Sequence, residues 1–153
     1  GGRPKVGYET GRLLADVEHA LGHDQVNRAL LVGAGNLGRA LLAYQGFRQY
    51  GVEIVAAVDS DPLLVGQTFG KVTVSVGEKL DTLVKSLGVA IGVITVPAET
   101  AQAVCSRLVL SGIKAIWNFA PVSLVVPPDV MVRSENMALS LALLSQHLAG
   151  KRN

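Results

Sequence analysis

The stretch Gly33-Ala34-Gly35-Asn36-Leu37-Gly38 decides the fold, because its glycines have the spacing G-x-G-x-x-G. The apolar run before it, 28–32, predicts a buried strand, and the residues after it, 39–47, predict a helix. Between a strand and a helix, this spacing is typical of a turn that binds a dinucleotide. A glycine-rich turn without a ligand is the alternative that the motif alone leaves open.

Each glycine of the turn has a physical task in the dinucleotide interpretation. Gly33 allows the tight turn out of the strand, Gly35 lets the backbone approach a diphosphate, and Gly38 lets the helix pack close to the strand. The first free N–H groups of the helix would face the phosphates, with the positive end of the helix dipole behind them. We therefore assign all six residues of the turn to a cofactor-binding site.

The composition is that of one globular domain. Of the 153 residues, 49% are apolar and 17% are charged, which excludes a disordered chain. The net charge of +2 is too small and too scattered to indicate nucleic-acid binding by itself. The single cysteine, Cys105, allows no internal disulfide and suits a reducing cytoplasm. We expect no signal peptide, no membrane span and no metal site, because the chain has neither the apolar length nor the ligand spacing for them.

Apolar runs alternate with helical patterns along the rest of the chain, which predicts a Rossmann-like, doubly wound and mainly parallel α/β sheet. Further strands are predicted at 53–58, 72–74, 89–96, 113–118 and 130–132, with a loop at 66–70. Further helices are predicted at 78–87, 98–110 and 137–148, with Pro97 as the first helical residue of the second of these.

The two ends of the chain add to the minimal fold. Residues 1–8 are interpreted as a linker, and 9–21 have the spacing of an extra helix, so that the domain is expected over 9–150. The helix at 137–148 is apolar on more than one face, which is typical of a helix buried on two sides. Its contact with a second chain would make the protein a dimer.

Asp59 ends the second predicted strand, about 20 residues beyond the glycines, where an acid hydrogen-bonds the adenosine ribose hydroxyls. Asp59 and Asp61 would also repel a 2′-phosphate, which favours NAD over NADP. Ser60 between them is assigned to the same site. Asp59 as a simple turn residue is the alternative, and Asp61 is interpreted as a cap before Pro62.

The far end of the ligand would lie outside the carboxyl ends of two later strands, at 95–98 and 118–121. The side chains there are nearly all apolar, and an apolar pocket disfavours the cationic oxidised nicotinamide ring. A desolvation penalty of ~1.4 kcal/mol would give about a tenfold preference for NADH over NAD⁺. The residues assigned to this part of the site are Thr95, Val96, Pro97, Ala98, Asn118, Phe119, Ala120 and Pro121.

Catalytic groups are not apparent in the sequence. None of the histidines (His19, His23 and His147) follows a predicted strand, and no Gly-x-Ser-x-Gly elbow occurs. We therefore expect a binding protein and not an enzyme.

Taken together, the motifs resemble the C-terminal domain of Rex, the bacterial redox-sensing transcriptional repressor. The resemblance covers almost the whole chain, at Val6-Gly7-Tyr8, 33–41, 58–62, Val65-Gly66, 95–98, Ala101-Gln102, 112–114 and 118–121. It implies a homodimer that responds to NADH and NAD⁺ and exchanges its C-terminal helix between subunits. It also implies that NADH closes the dimer and releases operator DNA from an N-terminal winged-helix domain. The fingerprint glycines, Asp59 at the ribose and the residues around the nicotinamide carry over to the positions assigned above.

Two departures from the family pattern stand out. The chain begins where the family's linker begins, so we expect operator DNA to be bound only through the missing winged-helix domain, and not by this chain alone. Asn136-Met137 stands where the family has an Asp followed by an apolar residue. The resemblance gives that Asp a part in interdomain switching, and Met137 a contact with the partner's nicotinamide.

Two alternatives remain open. A CoA-binding Rossmann domain shares the sheet and the glycine turn, although CoA carries a 3′-phosphate where Asp59 favours free ribose hydroxyls. A fragment of a small NAD-dependent dehydrogenase would need an acid or base and a substrate domain, which the sequence does not display. Titration with NADH, NAD⁺, NADPH and CoA would distinguish a CoA-binding domain from an NAD(H) sensor. An NADH concentration that stays constant in the presence of candidate substrates would weigh against a dehydrogenase.

Overall fold

The computed structural model of the chain describes residues 25–135 and 137–152. The predicted linker at 1–8, the predicted helix at 9–21 and Asn136 lie outside the described residues. In the described part, the strands are β1 Asn27–Val32, β2 Val52–Asp59, β3 Thr68–Phe69, β4 Val72–Val76, β5 Ile91–Ile94, β6 Ala115–Asn118 and β7 Met131–Ser134. The α-helices are α1 Asn36–Ala43, α2 Leu80–Ser86, α3 Ala98–Leu110 and α4 Met137–Arg152, with 3₁₀ turns at Phe47–Tyr50 and Gly77–Lys79.

The strands form one sheet in the order β3-β4-β2-β1-β5-β6-β7. Every neighbouring pair is parallel except β3 and β4, which form an antiparallel hairpin. The six parallel strands have the doubly wound order in which the chain reverses its direction of travel beside β1. The prediction of a Rossmann-like, mainly parallel sheet is confirmed.

The core lies in two layers because successive side chains of a strand point to opposite faces. Leu31 and Val93 face the layer of α1, whereas Leu30 and Ile94 face the layer of α2 and α3. All four side chains are completely buried, as expected for parallel strands covered on both faces. Cys105 of α3 is buried in the second layer.

Several predicted boundaries are wrong. The helix after the glycines ends at Ala43 and not near residue 47, because Tyr44 is extended (φ −72°, ψ 130°) and a separate 3₁₀ turn follows. The loop predicted at 66–70 contains β3, which pairs with β4. The helix at 98–110 has the predicted bounds, but Pro97 precedes it, with an extended ψ of 158°.

The strand predicted over 89–96 is restricted to β5. At its start, the N–H of Val89 donates to the carbonyl of Val84 and so closes α2 (3.0 Å). At its end the chain leaves the sheet before Pro97, which has no N–H for a strand ladder. Apolar composition extends beyond the strand because the flanking residues pack against the same core.

Candidate functional site

The predicted site residues meet at one edge of the sheet. Val32, at the end of β1, is paired with Val58 of β2 on one side and with Ile94 of β5 on the other. Ile94 is paired in turn with Asn118, the last residue of β6. The glycine turn, Asp59 and the loops at 95–98 and 118–121 therefore follow neighbouring carboxyl ends, where open parallel sheets bind their ligands.

The glycine turn has the conformation that its spacing predicts. Gly33 has φ +103°, and a Cβ there would lie 3.0 Å from the backbone of Thr95. A Cβ at Gly38 would lie 2.0 Å from the Gly33 carbonyl oxygen, so only glycine lets α1 start this close to the strand. A Cβ at Gly35 would have no neighbour within 4 Å, so the space over the middle of the turn is open to a ligand.

The amino end of α1 has unused hydrogen-bonding capacity. Gly35 is the N-cap and supplies no side-chain cap, and the first turn contains no acidic residue. The first N–H groups of a helix have no partner inside the helix. With Gly35 and Asn36 exposed, these donors and the positive end of the helix dipole can meet an anion.

Arg39 brings a positive charge to the same place, although sequence reasoning does not single it out. Its guanidinium donates to Asn36 Oδ1 and lies 5.7 Å from the ring centroid of Phe69 in β3. The only available sequence signal is a basic residue directly after the last fingerprint glycine. Its hydrogen bonds are local to the turn and α1, whereas its contact with Phe69 requires the β3–β4 hairpin, which the sequence does not predict.

Asp59, which is predicted to bind the ribose, is bonded to the glycine turn. Its Oδ2 accepts the N–H of Ala34 at 2.6 Å, and its Oδ1 accepts the N–H of Asp61 at 2.8 Å. Each carboxylate oxygen has a second lone-pair direction, so both can still accept a ribose hydroxyl. Asp61 caps the following turn as predicted, since its Oδ1 accepts the N–H of Leu63 at 2.9 Å. Ser60, between the two acids, is exposed.

The loop at 95–98 begins with a polar side chain that is bonded to the protein itself. The Thr95 hydroxyl donates to the carbonyl oxygens of Val32 (3.0 Å) and Gly33. Val96 and Ala98 are half-buried and Pro97 is exposed, so the remaining side chains of this loop are apolar.

The loop at 118–121 is organised around Asn118, which is completely buried. Its Nδ2 donates to the carbonyls of Ala120 (3.1 Å) and Val122 (3.0 Å), and its Oδ1 accepts the N–H of Ala120 (3.0 Å). Phe119 is half-buried and Pro121 is exposed. The polar atoms of Asn118 are thus used to shape the loop, which leaves apolar groups for the predicted ring pocket.

An apolar groove lies on the α1 face of the sheet, where its lining includes the first residues of β2, β5, β6 and β7 and the segment that follows α1. The ring of Trp117 contacts Phe47 edge to face at a centroid distance of 5.5 Å, and it contacts the tilted ring of Phe119 at 4.7 Å. Tyr50 and Met131 in its lining are 74% and 65% exposed. The groove has a volume of about 450 Å³ and is lined by Tyr44, Phe47, Tyr50, Val52, Ile91, Ala115, Ile116, Trp117, Met131, Arg133 and Glu135.

Within residues 25–135 and 137–152, no group of three or more His, Cys, Asp or Glu side chains could hold a metal ion. The helices of that same part include none with the length and apolar character needed to cross a membrane.

The chain is similar to one protein family model and to curated proteins. Residues 24–122 match the family described as the CoA binding domain. The redox-sensing transcriptional repressor Rex of Bacteroides fragilis is 41% identical over 147 residues, which are 96% of this chain and 67% of that protein.

Solved structures of RSP, a Rex-family repressor, are also similar. Its complex with β-NAD⁺ and operator DNA is 33% identical, with a TM-score of 0.82 over 99% of this chain and 70% of that one. Its complex with β-NADH is 33% identical, with a TM-score of 0.80 over 97% and 72%.

Proposed function

The chain belongs to the Rex family of redox-sensing transcriptional repressors, and we propose that it is the sensor part, which binds NADH and NAD⁺ at the glycine turn and responds to their ratio. Residues 24–122 also belong to the CoA binding domain family. Both memberships fit a nucleotide diphosphate on this sheet edge, and Asp59 favours a dinucleotide with free ribose hydroxyls.

The observation that carries the proposal is the open, uncapped amino end of α1 beside Asp59. Residues 33–38 supply the diphosphate site, with Gly35 open to the ligand and the first N–H groups of the helix directed toward it. Asp59 and Ser60 would meet the adenosine ribose, and Arg39 would add a positive charge near the phosphates. The two loops at 95–98 and 118–121 would surround the nicotinamide ring.

The preference for the reduced cofactor follows from the chemistry of these loops. Their polar side chains, Thr95 and Asn118, already hydrogen-bond the protein backbone. No carboxylate among 95–98 or 118–121 would balance the charge of an oxidised ring. A partial desolvation penalty of ~1.4 kcal/mol corresponds to about tenfold tighter binding of NADH.

We propose binding without turnover for the same reason. A general acid or base must reach the reacting group by a hydrogen bond, and both polar side chains at the ring end are committed to structural bonds. NADH incubated with the chain and candidate carbonyl substrates should keep its absorbance at 340 nm. Stoichiometric or catalytic loss of that absorbance would favour the dehydrogenase alternative.

Calorimetric titration of the chain with NADH, NAD⁺, NADPH and CoA tests the proposal. We expect NADH to bind most tightly, NAD⁺ about tenfold more weakly, and NADPH and CoA more weakly still, because Asp59 and Asp61 repel a phosphate at the ribose. ADP-ribose, which lacks the ring, is the control for the diphosphate end. Equal affinity for NADH and NAD⁺ would refute the ring pocket, and tightest binding of CoA would refute the sensor assignment.

We further propose that a second copy of the chain supplies α4 to the apolar groove, so that the sensor is a homodimer with exchanged helices. The helix has exposed leucines on several faces, at Leu141, Leu143, Leu144 and Leu148. Leu144→Cys and Met131→Cys, each made in a Cys105→Ala background so that it carries a single cysteine, should form a disulfide-linked pair under mild oxidation when they are prepared separately and mixed. A monomer by sedimentation, or no linked pair after mixing, would refute this arrangement.

In the intact repressor, NADH binding is proposed to close this dimer and release operator DNA in the cytoplasm. A part for residue 136 in interdomain switching stays a prediction, because Asn136 lies outside the described residues. We propose that operator DNA is bound outside residues 25–152. A gel shift of operator DNA by this chain alone, sensitive to salt, would contradict that assignment.

A further inference from the structure

We propose that Thr95 is a positioning residue, which fixes the glycine turn in its diphosphate-binding shape and does not act by touching the nicotinamide ring. This inference rests on the proposed function, because it concerns the same cofactor site. It changes the role expected for Thr95, which was assigned to the ring end from the position of its loop.

The contacts of Thr95 run toward the turn. Its backbone N–H donates to the Val32 carbonyl at 3.0 Å, and its hydroxyl donates to the carbonyls of Val32 (3.0 Å) and Gly33. A threonine hydroxyl has a single hydrogen, so that one donor is shared between two consecutive carbonyls where β1 enters the turn. Thr95 is half-buried, which shields these bonds from competing water.

The shape of the turn also fits around this side chain. A Cβ at Gly33 would lie 3.0 Å from Thr95 Oγ1, and a Cβ at Gly38 would lie 3.1 Å from the same atom. The hydroxyl therefore fills the space that the absence of both glycine side chains creates. The first residue of the turn and the first turn of α1 both pack on it.

A second strand holds the turn from the opposite side. The N–H of Gly33 donates to the Val58 carbonyl at 3.0 Å, and the N–H of Ala34 donates to Asp59 Oδ2 at 2.6 Å. The turn is thus attached to β2 through its own N–H donors, and to the residue that follows β5 through the hydroxyl of Thr95. The direction of the free N–H groups of α1 depends on both attachments, and diphosphate affinity depends on that direction.

Thr95→Val and Thr95→Ser are the matched variants. Valine has the shape of threonine without the hydroxyl, so it leaves the Gly33 carbonyl without this donor, whereas serine retains the donor. We expect Thr95→Val to weaken NADH binding about fivefold or more, in line with the loss of a part-buried hydrogen bond. Thr95→Ser should restore affinity to within about twofold of the original chain.

ADP-ribose separates positioning from ring contact, because it has both phosphates and both riboses but no nicotinamide. If Thr95 positions the turn, Thr95→Val weakens ADP-ribose and NADH by the same factor, measured by calorimetry. If Thr95 touches the ring, only NADH binding falls, and that result would overturn the inference. Unchanged affinity for both ligands, or a Thr95→Ser variant as weak as Thr95→Val, would also overturn it.

The amide resonances of residues 33–39 give a second readout in the absence of ligand. Hydrogen exchange of the bonded amides of the turn, those of Gly33, Ala34 and Arg39, should accelerate in Thr95→Val while that of β6 and α3 stays unchanged. Thr95→Ala allows the same comparison should the valine variant fail to fold. If the original chain bound neither ADP-ribose nor NADH, the proposed function itself would fail. Binding by the original chain with no loss of ADP-ribose affinity in the variant would overturn only the role of Thr95.

Discussion

Alanine substitution at Gly38 and at Gly35 separates what the glycine turn needs for folding from what it needs for binding. A Cβ at Gly38 would lie 2.0 Å from the Gly33 carbonyl oxygen, whereas ordinary contacts lie at 3.4–4 Å. The obstacle is backbone, so α1 would have to move away from β1 by more than about 1 Å. Overpacking of this kind typically costs 1–3 kcal/mol, and a backbone obstacle places Gly38→Ala near ~3 kcal/mol.

Gly35→Ala should behave in the opposite way. Its φ of −72° suits alanine, and no heavy atom lies within 4 Å of the added Cβ. The free energy of unfolding should therefore change by less than ~1 kcal/mol, the usual effect of a change at an N-cap. The new methyl group would instead occupy the space over the turn, and NADH affinity should fall at least about tenfold, or ~1.4 kcal/mol.

Urea denaturation of the two variants without ligand, followed by calorimetric titration with NADH, measures both effects. Each variant is the other's control, since both add the same methyl group to the same turn. A Gly38→Ala variant as stable as the original chain would refute the packing argument. A Gly35→Ala variant with full NADH affinity would refute the placement of the diphosphate.

Three further predictions concern residues around the turn and in the core. Asp59→Asn removes the charge that repels a 2′-phosphate, so the ratio of NADPH to NADH affinity should rise about tenfold by calorimetry, and an unchanged ratio would argue against a place for Asp59 at the ribose. Asn118→Leu leaves the Ala120 N–H and the Val122 carbonyl without the partner that Asn118 supplies, and the free energy of unfolding should fall by ~1–3 kcal/mol in urea titrations; a variant of full stability would show that the loop does not depend on these bonds. Burial raises the pKa of the Cys105 thiol, so the reactive thiolate forms only above the ordinary pH range of a cysteine, and labelling by a thiol reagent at pH 8 should follow unfolding and not precede it.

The main architecture was predictable because it depends on local signals. The glycine spacing fixes the turn, and the tight contacts of Gly33 and Gly38 show why other residues do not fit there. The uncharged run around residues 91–94 predicts a strand buried on both faces, since an exposed strand would alternate apolar and polar residues. The assignment of Asp59 to the ribose follows from its place at the end of β2. Its bond to the Ala34 N–H could not be predicted from the sequence.

What the sequence left open depends on contacts between distant residues. Asn118 is an ordinary polar residue in sequence, and only the fold shows that its side chain is buried and bonded within its own loop. Arg39 contacts the ring of Phe69, which lies in β3, a strand of only two residues. The apolar groove brings together residues of four separate segments, which no periodicity in one segment can indicate.

The central claim is that the amides of one glycine turn bind a diphosphate while two apolar loops surround the nicotinamide. An NMR titration of the isotopically labelled chain with NADH tests it most directly. The account predicts that the largest amide shifts fall on residues 33–38, with a second set at Val96, Ala98 and 118–120 that disappears when ADP-ribose replaces NADH. Largest shifts elsewhere, or a spectrum that NADH leaves unchanged, would contradict it.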